Sequence, residues 1–335
     1  MSQNDSNLRG FPLIRLRRLR KNKVIRDLLQ EVRLSVKDFV YPIFIQEGKD
    51  TQLEIPSMPG FFRIPLKTLS REIDRYYEIG LRSFILFGLP SAKDDKGFNA
   101  YSERGVIQQA LKQLRDNFSE KIVLMTDVCL CQYTEHGHCG IVKNKEVNND
   151  RSLDVLNKIA LSHAKEGADF VAPSAMMDGQ VKSIRLALDS GGYEQVGIMG
   201  YSAKISSNLY TPFRDAARSV PDFGDRKSYQ MPYNNSNEAM QEIGFDIQEG
   251  SDIVIIKPTL PYLDLLYKAK QETNIPICAY SVSGEYSIIK AAAIEGWISE
   301  DDLIIEFTTS IKRAGADIII TYHAKRLAEL LMNQK

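Results

Sequence analysis

Two lysines stand where lysine is costly. Gly200-Tyr201-Ser202-Ala203-Lys204 and Ile253-Val254-Ile255-Ile256-Lys257-Pro258 both run a small or apolar segment into a lysine. A buried, isolated ammonium is disfavoured, and the ordinary escape is a stem along apolar surface with its head in water. One such lysine decides nothing. Two on neighbouring strands repel each other and share partial desolvation, and both effects lower the pKa and expose a neutral amine near pH 7. A neutral amine condenses with a ketone to a Schiff base. One such lysine suggests an aldolase-like enzyme, and two suggest two carbonyl substrates.

A second constellation follows Ile122-Val123-Leu124-Met125, in the segment Asp127 to Gly140. It holds Cys129, Cys131 and Cys139, three cysteines within eleven residues. Thiolates are preferred ligands of Zn²⁺, and three protein ligands leave the fourth position open, which is the catalytic arrangement. Isolated buried cysteines pack as small hydrophobes; three in a polar, His-rich loop point to metal. His136 and His138 are further candidate ligands, though such histidines more often support a site from behind. Cys278 sits inside the apolar run Pro276-Ile277-Cys278-Ala279-Tyr280 and reads as core. Asp127 ends its strand, as a base or a group behind the metal, against the plainer reading of a cap.

The long polar segment 205–240 supplies Arg214 and Arg226, and arginine binds carboxylates through two parallel hydrogen bonds. Singly, each is more often a surface charge. Hydroxyls of Ser281, Ser283 and Tyr322 follow two later strands and suit a second carboxylate. Ser174 follows the fourth strand, and Phe87 ends the second.

The elements that must position these residues recur. Helical stretches end at Gly80, Gly167, Gly250 and Gly315, each followed within a few residues by a β-branched or aromatic run. Glycine closes a helix readily because it accepts positive φ. The runs are continuous rather than alternating, as in parallel strands buried on both faces. Eight strands are expected, at roughly 39–45, 82–88, 121–128, 168–173, 196–201, 252–257, 275–281 and 317–322. Leu303 to Phe307 reads as helix rather than a ninth strand. Eight βα units predict an α/β fold, a (β/α)8 TIM barrel, whose active site lies at the C-terminal ends of its strands. An open doubly wound sheet is less suited, because no glycine-rich phosphate loop follows the first strand. The division expected is an N-terminal arm over 1–38, a catalytic barrel over 39–335, and a lid at about 205–240, a loop length that usually serves function.

With 43 basic and 43 acidic residues in 335, the chain carries no formal net charge. Nucleic acid and anionic membrane are therefore not expected partners. Residues 15–26 do hold seven basic side chains, but no matching basic face appears elsewhere, so a solvated arm or subunit contact is the reading. No apolar run reaches the roughly 18–20 residues that span a bilayer. The polar start MSQNDSNLRG lacks the layout of a secretory signal, so a cytoplasmic location is expected.

The arm motif Arg17-Arg18-Leu19-Arg20, Met58-Pro59-Gly60, the cysteine loop and Ala172-Pro173-Ser174 come in a definite order. Met177-Asp178-Gly179, Tyr201-Ser202-Ala203-Lys204 and Gly224-Asp225-Arg226-Lys227-Ser228-Tyr229-Gln230 follow, then Ile256-Lys257-Pro258 and Val282-Ser283-Gly284-Glu285-Tyr286. Together they resemble the porphobilinogen synthases, also called 5-aminolaevulinate dehydratases, over nearly the whole chain. That resemblance implies condensation of two 5-aminolaevulinate molecules to porphobilinogen with loss of two waters. It implies a Schiff base on Lys204 with the substrate giving the propionate side, and one on Lys257 with the substrate giving the acetate side. Arg214, Arg226 and Gln230 would bind the carboxylate of the acetate-side substrate, and Ser283 and Tyr322 that of the other. Asp127 is catalytic in this reading, while Ser174, Phe87, Tyr210 and Tyr280 complete the substrate-binding set. Zinc on Cys129, Cys131 and Cys139 would activate the acetate-side substrate.

Some members carry aspartates in place of the cysteines, and many have aspartate where this chain has Ala175. A second zinc site of some relatives needs a cysteine where Ser228 stands, so it is not expected here. An allosteric magnesium ion would lie near Glu242, and a homo-octamer would be built through the arm. A single-lysine aldolase would leave Lys204 and the cysteines idle, and a zinc- or RNA-binding protein without catalysis would leave both lysines idle.

Overall fold

A computed structural model describes residues 10–332. Eight parallel strands carry the architecture. They are β1 (Phe39–Gln46), β2 (Ser83–Leu89), β3 (Val123–Val128), β4 (Phe170–Pro173), β5 (Gly197–Lys204), β6 (Ile253–Lys257), β7 (Ile277–Ser281) and β8 (Ile318–Thr321). Each pairs with the next, and β8 returns to β1 through Phe39↔Ile319 and Val40↔Ile320, which closes the barrel. Beyond that closure, β1 pairs with an extra strand, Phe62–Pro65, at Phe44↔Arg63 and Ile45↔Ile64. The fold is the expected (β/α)8 barrel.

The barrel is sheathed by α1 (Leu69–Glu78), α2 (Val106–Phe118), α3 (Asn149–Lys165), α4 (Gln180–Ser190), α5 (Ser236–Gln248), α6 (Leu263–Glu272), α7 (Ser283–Ile294), α8 (Glu300–Ala314) and α9 (Ala324–Met332). Leu303 to Phe307 lies within α8, which the Ser299 side chain caps by accepting from Asp302 N. The glycines that punctuate the repeat take positive φ, +96° at Gly167 and +120° at Gly315, where a side chain would strain the turn into the next strand. Continuous apolar runs are buried as expected, since one face of each strand meets the helices and the other fills the barrel.

The fifth strand differs from its expected bounds of 196–201, because it continues to Lys204. Its pairing with β6 also shifts: Ile253↔Met199 and Val254↔Gly200 are followed by Ile256↔Ala203 and Lys257↔Lys204. Three residues of β5 therefore span what two residues of β6 span. Such a bulge resets the alternation of inward and outward side chains. Ser202 faces outward on the side of Asp246 of α5, its Oγ donating to Gly200 O at 3.2 Å, while the Tyr201 ring and the Lys204 amine, three positions apart, both face the interior.

The chain divides into a small N-terminal unit ending at Leu34 and the barrel unit from Ser35. Within the described part of the first unit a 3-10 segment, Leu16–Arg20, precedes a short helix, Lys23–Leu28, whose Asn22 cap accepts from Ile25 N at 3.0 Å. None of residues 10–34 is buried, and Phe11, Leu13, Leu16, Val24 and Leu28 all expose apolar side chains.

Candidate active site

Lys204 and Lys257 end β5 and β6 as direct cross-strand partners, and both are buried. Asp127, at the end of β3, and Ser174, after β4, share a small cavity with them; Cys131, Tyr210, Phe213, Arg226 and Gln230 complete its lining. The Lys204 ammonium donates to Ser174 O. Lys257 lies in an aromatic enclosure, its Nζ 4.0 Å from the Tyr280 ring centre, 4.9 Å from Phe213, 5.2 Å from Tyr201 and 5.4 Å from Tyr210. Burial, and secondarily the charge of Lys204, lower the Lys257 pKa to about 7. Burial raises the Asp127 carboxyl, against hydrogen bonds from Ser174 and Gln132 and the charge of Lys204. Gln132 Nε2 donates to Asp127 Oδ2 at 2.9 Å.

The three cysteines converge because their loop folds back on itself. Tyr133 N and Thr134 N donate to Leu130 O, turning the chain after Cys131. Thr134 Oγ1 then bonds both Leu130 O and His138 O, bringing Cys139 back. All three thiols are buried, and their sulfurs lie within 4.8 Å of one another, Cys129 and Cys131 at 3.5 Å. Among the described residues, this is the only such group of ligand side chains. Cys131 faces the cavity of the lysines. Three soft donors, close enough for one ion and open on the cavity side, fit a zinc ion with a free position.

Neither histidine of this loop joins the group of sulfurs, and His136 Nε2 is buried without a partner. His136 Nδ1 accepts from His138 N, and both ring nitrogens of His138 bond the long loop after β5. Cys278 is buried in β7 as core.

That long loop is pinched at its base. Ser206 N donates to Met231 O at 2.7 Å and Met231 N to Lys204 O at 3.2 Å, so its two ends leave from the lysine itself. Tyr210 Oη donates to Lys257 O at 3.0 Å. A short helix, Thr211–Ala216, carries Phe213 and Arg214; Arg63 donates to Ala216 O and Asp215 O and fixes its far end. The regular helix α5 begins at Ser236, inside the span expected for the lid. Arg226 is buried and donates through Nη2 to Gly137 O and Ser219 O. Its Nε, the Nε of Arg214 and both amide atoms of Gln230 lack hydrogen-bond partners. Neither arginine joins an ion pair among the described residues. Burial and the charge of Arg226 depress the Arg214 guanidinium. Arg226 and the buried Gln230 amide line the cavity and Arg214 does not, though it is near enough to feel the Arg226 charge; the unpartnered donors suit an anion.

Other expected residues lie behind this cavity rather than on it. Ser283 is buried; its Oγ donates to Leu209 O and accepts from Phe213 N, tying α7 to the loop. Tyr280 and Tyr322 bond through their hydroxyls at 3.1 Å. Phe87 packs edge-on against Phe213 at 5.3 Å. Glu242 lies in a separate groove of about 640 Å³ with Asp178 and Glu238, which Gln230 also lines.

Sequence reasoning missed Phe213, Tyr201, Gln132 and the positioning role of Glu285. The Glu285 carboxylate accepts from Leu260 N at 2.5 Å and Thr259 N at 3.3 Å, holding the loop that follows Lys257. Its place inside the Val282 to Tyr286 motif was a signal; Phe213, in a polar loop, gave none.

The family model described as "Delta-aminolevulinic acid dehydratase" matches residues 13–330. The chain belongs to this family. It is 53% identical to the family member of Archaeoglobus fulgidus over 321 residues, 96% of this chain and 99% of that one. Identity with the Bacillus subtilis member is 49% over 317 residues, 95% of this chain and 98% of the relative. Among solved structures, the Toxoplasma gondii ME49 enzyme, delta-aminolevulinic acid dehydratase (porphobilinogen synthase) in complex with the reaction product porphobilinogen, superposes with a TM-score of 0.93. That match has 39% identity and covers 96% of this chain and 92% of the other. The family thus agrees with the resemblance carried by the motifs.

Proposed function

We propose that the chain condenses two molecules of 5-aminolaevulinate into porphobilinogen with loss of two waters, an early step of tetrapyrrole synthesis. The observation that carries this reading is the pair Lys204 and Lys257, joined across adjacent strand ends and sharing one cavity. Each amine condenses with the ketone of one substrate molecule. Lys257, with its pKa lowered to about 7, has a large neutral and nucleophilic fraction at neutral pH. Lys204, beside Asp127 and Ser174, holds the other molecule. Asp127 shares the cavity with both amines and Cys131, and serves to accept and return protons there. Holding two small molecules at fixed orientation removes much of the entropic barrier to joining them.

Arg214, Arg226 and Gln230 bind the carboxylate of the substrate on Lys257, which supports their unpartnered donors. The family resemblance gives Ser283 and Tyr322 to the carboxylate of the substrate on Lys204, with Phe87, Tyr210 and Tyr280 as walls; the bonds that Ser283 makes to Leu209 and Phe213, and Tyr322 to Tyr280, would then yield to it. Cys129, Cys131 and Cys139 would hold zinc, which supplies Lewis acidity toward the substrate on Lys257. An allosteric magnesium ion would lie near Glu242, whose carboxyl is raised by burial and by the nearby Asp178, Glu249 and Glu238.

The exposed apolar side chains of the N-terminal unit support its use as an arm that builds a homo-octamer, as a unit distinct from the barrel and its lid. No helix among the described residues is long and apolar enough to cross a membrane, and the four cysteines are free, which suits a cytoplasmic enzyme acting on small molecules rather than nucleic acid. Colour formation from 5-aminolaevulinate, with and without zinc and thiol, tests the reading; a purified protein that forms no porphobilinogen with both supplied contradicts it.

A further inference from the structure

The turn His136 to Cys139 has two employers. Its last residue supplies the third thiol of the cysteine cluster. The residues just before it receive the lid. Asp222 N donates to His136 O at 3.1 Å, and Arg226 Nη2 to Gly137 O at 2.8 Å. His138 makes the largest share of the contact. Its Nε2 lies 3.0 Å from Phe223 O and its Nδ1 3.0 Å from Tyr229 Oη. A carbonyl only accepts, so Nε2 carries the hydrogen; in the neutral ring Nδ1 is then the acceptor, and the Tyr229 hydroxyl donates to it. The tautomer is fixed by the lid at both ends. The Phe223 ring also packs on the imidazole at 4.4 Å between centres. His138 is buried, and its ring nitrogens are committed away from the cysteine sulfurs.

The lid segment so clasped, from Ser219 to Gln230, is the one that carries Arg226 and Gln230 into the cavity. Gly137 leaves no slack: it has positive φ, and an added Cβ would come within 2.4 Å of Val220 O. A displacement of this turn therefore moves the cluster and the lid together.

We propose that His138 is a positioning residue that couples metal loading of the cysteine cluster to closure of the lid. Ordering of Cys139 by the metal fixes the turn, and the turn, through His138, fixes Phe223 and Tyr229 and hence the arginine and amide that meet the substrate carboxylate. Coupling of this kind is reciprocal, so a lid that cannot clasp leaves the cluster with weaker hold on its metal. This rests on the reading that the three cysteines bind a divalent metal.

The test uses the full chain, loaded with Co²⁺, which reports thiolate ligation by its sulfur-to-metal absorption, and hydrogen exchange of the lid amides. In the unaltered chain, Co²⁺ is expected to produce that band and to slow exchange over residues 219–230. In His138→Phe, which keeps an aromatic ring and removes both hydrogen bonds, the band is expected to persist while the slowing over 219–230 is lost. Metal affinity is expected to fall by roughly 5- to 150-fold, the usual span of coupling between linked sites. Tyr229→Phe, which removes one hydroxyl, is expected to give a smaller change in the same direction and guards against misfolding of the first variant. Exchange over 219–230 that ignores metal in the unaltered chain, or responds equally in both variants, overturns the coupling while leaving the metal site intact. Absence of the sulfur-to-cobalt band in the unaltered chain overturns the metal reading and the coupling with it.

Discussion

Lys204 and Lys257 are register partners, each the last residue of its strand. Only the extra residue in β5 makes this so. Without it, the alternation that points Tyr201 inward would point Lys204 at the helices. The bulge therefore places two amines and the aromatic ring beneath them on one side of the sheet, with Nζ atoms 5.5 and 5.2 Å from the Tyr201 centre.

The Lys257 pKa of about 7 sets a pH dependence. The depressed value means that the ammonium form dominates below that pH and cannot attack a ketone. Activity is expected to rise through pH 7 along a limb governed by one group. Lys257→Ala is expected to lose roughly 10⁴-fold or more in kcat, as removal of a covalent nucleophile does. Steady-state rates across pH 5.5–9 check the limb.

Chelation is expected to abolish activity and leave the fold in place. The barrel closes through β1 and β8, and none of the pairings between its eight strands uses the cysteine loop. Far-ultraviolet circular dichroism is expected to be unchanged after metal removal, with activity restored by zinc. A chain that unfolds on chelation would show a structural metal instead.

Gln230 separates binding from stability. Both its amide atoms are buried without partners, so Gln230→Leu removes no internal hydrogen bond. Tm is expected to hold or rise, whereas the loss of a bond to a charged carboxylate, about 1.5–3 kcal/mol, lowers kcat/KM roughly 10- to 150-fold. Arg226→Leu is expected to lower both, since it also releases Gly137 O and Ser219 O.

Tyr201 offers a paired test. Its hydroxyl is buried and unpartnered, so Tyr201→Phe is expected to be neutral or slightly stabilising. Tyr201→Leu removes the ring face shared by the two amines. A cation over a ring gains about 0.5–2 kcal/mol. Losing that favours the neutral amine, so the acidic limb of the Tyr201→Leu profile is expected to move to lower pH.

Much of this was legible in the sequence because parallel barrel strands bury both faces and write themselves as unbroken apolar runs. The glycine stops, the cysteine spacing and the two lysines were legible for the same reason: each obeys a local rule. The extent of β5 was not, since Tyr201-Ser202-Ala203-Lys204 has no β-branched residue, and a bulge is set by the neighbouring strand. Phe213 was hidden because only tertiary packing brings a loop aromatic to within 4.9 Å of Lys257 Nζ. Ser283 showed its hydroxyl in sequence but not its bonds to Leu209 and Phe213, which depend on the loop folding back over α7.

The central claim is that both lysines form Schiff bases. Borohydride reduction of the enzyme with 5-aminolaevulinate, followed by peptide mapping, tests it most directly. Reduced adducts on the peptides containing Lys204 and Lys257 are predicted. Substrate turnover with an adduct on neither lysine would contradict the account.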